Sequence, residues 1–182
     1  MAVNDLQGPD VRLIERTPLR GDSQALAQIL PALSPETWAF HIDYVWSPTA
    51  RLQQWSDHAE EGPAEIGIVH TGYAVPDAGA IGDVSDSLGF STTFSYVSEP
   101  GDLVQIGLEL VKFFKRVPQN APAVVSVDSI SLMLQYASVD DVCRFVDRSQ
   151  DIIAARDAVA RYYFTPEAHD SETVERIRSR FS

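Results

Sequence analysis

Ala123-Val124-Val125-Ser126-Val127-Asp128-Ser129 is an apolar run, rich in β-branched residues, that ends on a carboxylate. It is too short for a helix and lacks an exposed polar face, so it reads as a strand buried in a parallel sheet. The segments on either side agree. Upstream, residues 102–117 carry Leu103, Ile106, Leu110, Phe114 and Val117, with Val104, Leu108 and Val111 beside them. That broad stripe at helical spacing predicts a helix packed against the sheet. Asp102, after Glu99-Pro100-Gly101, is placed as its N-cap, and Pro118 stops it. Downstream, residues 139–156 follow the same plan. Val139, Val142, Cys143, Val146 and Ile153 face in, while Asp140, Asp141, Arg144, Asp147 and Arg148 face out.

The same alternation extends along the chain. Strands are expected at 11–16, 38–45, 65–70, 92–97, 123–128 and 159–164, and helices at 23–33, 48–60, 102–117, 139–156 and 171–181. Short β runs alternating with amphipathic helices predict an α/β fold, doubly wound, with a mostly parallel sheet and helices on both faces. A chain of 182 residues suits one domain. We assign residues 11–182 to it and treat 1–10 as a loose tail. Residues 71–91, rich in Gly, Asp and Ser, are expected to form a long loop.

Composition narrows the function classes. Twenty-six acids face 14 bases for a net charge of -12, and only Lys112 and Lys115 among the bases are lysines. A surface this acidic repels itself unless salt screens it, which is what a salt-loaded cytoplasm supplies. A haloarchaeal source is the inference, and an ordinary acidic protein of a GC-rich genome is the alternative. Nucleic-acid binding is not expected, because phosphate neutralisation needs a basic stripe. No apolar run is long enough to span a bilayer, and the first residues lack a signal-peptide pattern, so a cytoplasmic location is expected. Cys143 is the only cysteine and reads as a small buried hydrophobe.

The carboxyl ends of the strands are where such a fold binds ligands. The first strand leads into Thr17-Pro18-Leu19-Arg20-Gly21-Asp22-Ser23. A phosphate cradle of the form Gly-x-x-x-x-Gly-Lys-Ser/Thr needs glycines so that backbone amides can close on the oxygens, and a lysine to neutralise them. Here one glycine remains and no Gly-Lys pair exists in the chain. Arg20, Gly21, Asp22 and Ser23 therefore stand as a degenerate site. Asp22 would put a negative charge where a phosphate should rest, and it suits a helix cap better. The strand ending at Asp128 is similar to a Walker B strand, whose carboxylate holds magnesium through water. A turn or capping role is favoured for Asp128 over a magnesium ligand, because buried parallel strands often end in a polar residue.

The chain as a whole resembles the RecA/KaiC-like ATPases of the P-loop superfamily, and more narrowly an uncharacterised haloarchaeal group of shortened relatives. The resemblance covers residues 11–182. It rests on the order of elements, on Phe40-His41-Ile42-Asp43-Tyr44-Val45-Trp46-Ser47-Pro48 followed by Arg51-Leu52, and on the tail Tyr163-Phe164-Thr165-Pro166-Glu167-Ala168-His169-Asp170. In the family two glutamates precede the Ser-Pro, and one activates the attacking water. Val45 and Trp46 stand in those places here, and neither side chain can accept a proton.

Other chemistry finds little support. His41, His58, His70 and His169 show no metal-ligand spacing. His41 and Asp43 alternate along one strand face and could form a polar pair. Trp46 could anchor an interface, whereas Trp55 fits the core. The resemblance and the two losses together imply a non-catalytic RecA-like module acting through protein contacts, in signalling or regulation, with no cofactor and no metal. A divergent nucleotide binder or weak ATPase using Asp128 is one alternative. A structural subunit of a homo- or hetero-oligomer is another.

Overall fold

The computed structural model describes residues 9–17, 34–58, 62–89 and 91–182. The helix expected at 23–33 and the residues Arg20, Gly21, Asp22 and Ser23 lie outside the described residues.

Six strands form one sheet: β1 (Asp10–Glu15), β2 (Trp38–Asp43), β3 (Glu65–Thr71), β4 (Thr92–Val97), β5 (Ala123–Asp128) and β6 (Val159–Phe164). Every pairing is parallel, and the spatial order is β1-β6-β5-β2-β3-β4. The described helices are α1 (Pro48–His58), α2 (Ala78–Leu88), α3 (Leu103–Arg116), α4 (Ile130–Tyr136), α5 (Val139–Ala154) and α6 (Ser171–Arg178). Side chains alternate across each strand, and the two faces collect different partners. Ala39, Ile66, Ile68 and Val124 pack with Leu52 and Trp55 of α1 and Ile81 of α2. Phe40, Ile42, Val69, Val125 and Val127 pack with α3, α4 and α5 on the other face. This is the doubly wound α/β arrangement that the alternating pattern predicts. On the second face Gly67 is required by a close approach, since a Cβ there would stand 2.7 Å from Phe40 Cδ2.

Strand and helix ends follow the expected chemistry. The Asp102 side chain accepts a hydrogen bond from the Gln105 N–H and caps α3. Ser138 does the same for α5 through the Asp141 N–H. Cys143 is buried, as its place in the apolar stripe predicts.

Two expectations need correction. Residues 71–91 are not a continuous loop, because α2 occupies their middle. Asp77 accepts from the Gly79 and Ala80 N–H groups at 2.8 and 3.1 Å, and Gly89 closes the helix at φ 71°. Gly79, Gly82 and four serine or aspartate positions lower the intrinsic propensity of this segment, but burial of Ile81 against the first face overrides it. The stripe of α3 is also narrower than expected. Leu103, Ile106, Leu110, Phe113 and Phe114 are buried, whereas Val104 and Leu108 stand in solvent.

The chain moves from β2 outward to β3 and β4, then returns to the far side of β2 and continues through β5 to β6. Helix α1 leaves β2 on one face, and α4 and α5 leave β5 on the other. The connections therefore diverge between β2 and β5, where an open parallel sheet has its ligand crevice.

Candidate functional site

The residues that terminate these two strands are both aspartates, and they are register partners: Asp43 of β2 stands beside Asp128 of β5. Each carboxylate is fully buried. Two carboxylates side by side without water would repel, so the site needs cations. Arg51 comes from the first turns of α1 and is 1% exposed. It grips Asp43 with two parallel hydrogen bonds, Nε to Oδ2 at 2.9 Å and Nη2 to Oδ1. Its Nη2 also lies 3.6 Å from Asp128 Oδ2, and its Nη1 donates to Gln54 Oε1 at 2.9 Å. Arg16, just past the end of β1, donates from Nη1 to both oxygens of Asp128 at 3.0 and 3.3 Å and from Nη2 to Oδ2 at 3.3 Å. The Arg16 guanidinium rests over the Tyr163 ring, 3.7 Å from its centroid.

Asp43, Arg51, Asp128 and Arg16 thus form a chain of alternating charge across β2, β5 and β1. Burial works to lower the Arg51 pKa, but the carboxylates of Asp43 and then Asp128 outweigh it and hold it above the ordinary value. Burial pushes the Tyr163 hydroxyl up to about 12 against the opposing Arg16 charge, with Asp128 adding to the rise, so it stays protonated. His41, one step earlier on the same face of β2, is held well below its usual pKa by burial and then by the Arg51 charge. It is neutral, and Trp55 Nε1 donates to its Nε2 at 2.9 Å, which puts its proton on Nδ1. That Nδ1 has no partner among the described residues.

Several roles differ from those expected. Asp128 does not cap α4; Ser129 does, through the Leu132 N–H. His41 and Asp43 do share a face but do not pair, because α1 supplies a partner to each. Trp46 is partly covered, its ring 5.7 Å from the Arg51 guanidinium, while Val45 beside it is exposed. Trp55 is fully buried, as a core residue should be. Of the five residues of the degenerate site, Asp128 alone lies within the described structure. Arg16 carries no motif that would single it out, and Tyr163 stood only within the tail that carries the resemblance, with no chemistry attached to it. Asp128 offered a signal as the carboxylate ending an apolar strand, and once the strand order sets Asp43 beside it the pair demands arginines in reach.

In this arrangement the oxygens of both carboxylates are taken up by guanidiniums, so a divalent cation would have to displace Arg16 or Arg51 to reach them. Among the described residues no cluster of His, Cys, Asp and Glu is arranged to hold a metal ion. No described helix is long and apolar enough to cross a membrane.

Fold and site together define an α/β protein with a six-stranded parallel sheet, a form compatible with nucleotide-binding folds, whose carboxyl-edge crevice is filled by ion pairs. The chain belongs to the DUF7504 family, a family of unknown function, whose profile matches residues 20–182. A solved structure from Pyrococcus horikoshii OT3, studied as Project ID PH0250, is similar with a TM-score of 0.61 at 10% identity, over 100% of this chain and 85% of that one. At that identity the likeness concerns the fold. The uncharacterized protein PH0321 from Pyrococcus horikoshii, solved in complex with an unknown peptide, has a TM-score of 0.39 at 8% identity, over 86% of this chain and 79% of that one. No curated protein matches the sequence.

Proposed function

We propose that this protein is a non-catalytic RecA/KaiC-like module that works through protein contacts, its nucleotide corner replaced by an internal ion network. The observation that carries the reading is the state of Asp128. The carboxylate at the place of a magnesium-holding aspartate is bound through both oxygens by Arg16 and faces Arg51 as well. The sequence adds two further losses: no Gly-Lys pair follows any strand, and Val45 and Trp46 replace the family's acidic pair. A bound metal would have to displace Arg16 and leave Arg51 facing it. The family likeness remains an analogy of shape, and the role follows from the missing chemistry.

Thermal melting in molar KCl, with and without millimolar ATP and magnesium, tests the reading. Saturation at a hundred times Kd would add about 2.7 kcal/mol and raise the melting temperature by several degrees. The expected result is no change and no steady release of phosphate. A clear upward shift would sink the proposal.

A further inference from the structure

Helix α3 has more apolar surface than the sheet takes up. Val104 is 70% exposed and Leu108 48%. With Val111 they follow the spacing i, i+4, i+7, so they make one ridge about 10 Å long on the helix. The ridge is one wall of a groove of about 330 Å³ between α3 and α5. Gly107 lines it too, and a Cβ there would meet nothing within 4 Å beyond its chain neighbours and the backbone of its own helix. Arg144 and Arg148, one turn apart on α5, line the other wall with Asp141, which pairs with Arg144. Asp102 lines the groove at the start of α3, so among the described residues Arg148 is the one cation of the lining left over.

Arg148 is the second observation. Every other described arginine is held by a carboxylate or by a backbone carbonyl. Arg148 has no such partner among the described residues, although acids outnumber bases 26 to 14 and Asp147 and Asp151 share its helix. An unpaired guanidinium beside an exposed apolar ridge is half of a recognition surface.

We propose that this groove docks an amphipathic helix of a partner protein, its apolar face on the α3 ridge and a carboxylate on its flank meeting Arg148. The proposal rests on the reading of the chain as a protein-contact module and names the surface and the partner's chemistry. Two turns of helix present apolar anchors at the same spacing and over the same length as the ridge. A second copy of the chain fits less well, since two bodies of net charge -12 repel each other.

Two synthetic helical peptides of about 18 residues test this on the full chain. Both carry three leucines at i, i+4, i+7, and one has glutamates along the flank where the other has lysines. Fluorescence anisotropy at 0.15 M salt should show the glutamate peptide binding at least about tenfold tighter. Arg148→Glu should invert that preference, while Leu108→Asp should weaken binding about tenfold. Should Leu108→Asp fail to fold, Val104→Asp at the more exposed position gives the same reading. Equal binding of the two peptides, no binding of either, or an unchanged preference in Arg148→Glu overturns the proposal. So does sedimentation showing a dimer that Leu108→Asp or Val104→Asp dissociates. An ATP-dependent rise in melting temperature would strike the non-catalytic reading and leave the peptide result standing. Failed peptide binding with a flat melting response would strike the groove alone.

Discussion

Arg51 holds two carboxylates at a depth where neither could stand charged alone. Replacing it with methionine keeps the volume but leaves Asp43 without its bidentate partner and Asp128 with Arg16 only. Removing one member of a buried ion cluster costs about 3–5 kcal/mol, because an uncompensated charge remains. Arg51→Met is expected to lose that much in urea unfolding, and the double change Arg51→Met with Asp43→Leu to recover part of it. His41 gives a second prediction at this scale. Its folded pKa lies below the unfolded value near 6.5, so the unfolded chain takes up a proton that the native chain refuses. Its contribution is intact above pH 6.5 and is lost as pH falls towards the folded pKa, by at most about 1.4 kcal/mol per unit. Urea midpoints at pH 7.5, 6.5 and 5.5 should fall more steeply for the native sequence than for His41→Asn; parallel lines would contradict it. Asp128 could be noticed from sequence because it ends an apolar strand, whereas Asp43 lay inside the strand expected at 38–45 and became an end only where the structure stops β2. Arg16 and Tyr163 could not, since only the strand order sets β6 beside β5 and β1 next beyond it.

At the scale of elements, helix α2 shows how local chemistry and packing divide the labour. Asp77 supplies two orphan amides with an acceptor, and Gly89 accepts a left-handed φ of 71° that a Cβ would strain. Asp77→Ala and Gly89→Ala are each expected to cost about 1 kcal/mol in denaturant midpoint. Amide exchange should locate the first loss, with faster exchange at residues 79 and 80 and no change in β5. The six strands were all legible because each is an apolar or β-branched run bounded by breakers. Helices α3 and α5 were legible through their stripes and caps. Helix α2 was hidden by its glycines and serines, and only Ile81, Val84 and Leu88 hinted at an apolar edge. The exposure of Val104 and Leu108 was equally hidden, because a sequence stripe tells which residues are apolar and not how much of the stripe a sheet can cover.

For the whole molecule, two kinds of electrostatics should respond oppositely to salt. The net charge of -12 is spread over the surface, where repulsion acts through water. Raising KCl from 0.1 to 1 M shortens the screening length from about 10 to about 3 Å, so this repulsion fades and the compact state gains. The Asp43, Arg51 and Asp128 side chains are buried, beyond the reach of mobile ions. The melting temperature of the native sequence should therefore rise across that range, while the stability difference between it and Arg51→Met stays constant. Unfolding curves of both proteins at 0.1, 0.3 and 1 M KCl measure both quantities together. If the difference shrank with salt in step with the rise, Arg51 would be acting as a surface charge, and the crevice between β2 and β5 would be open to solvent and to ligands.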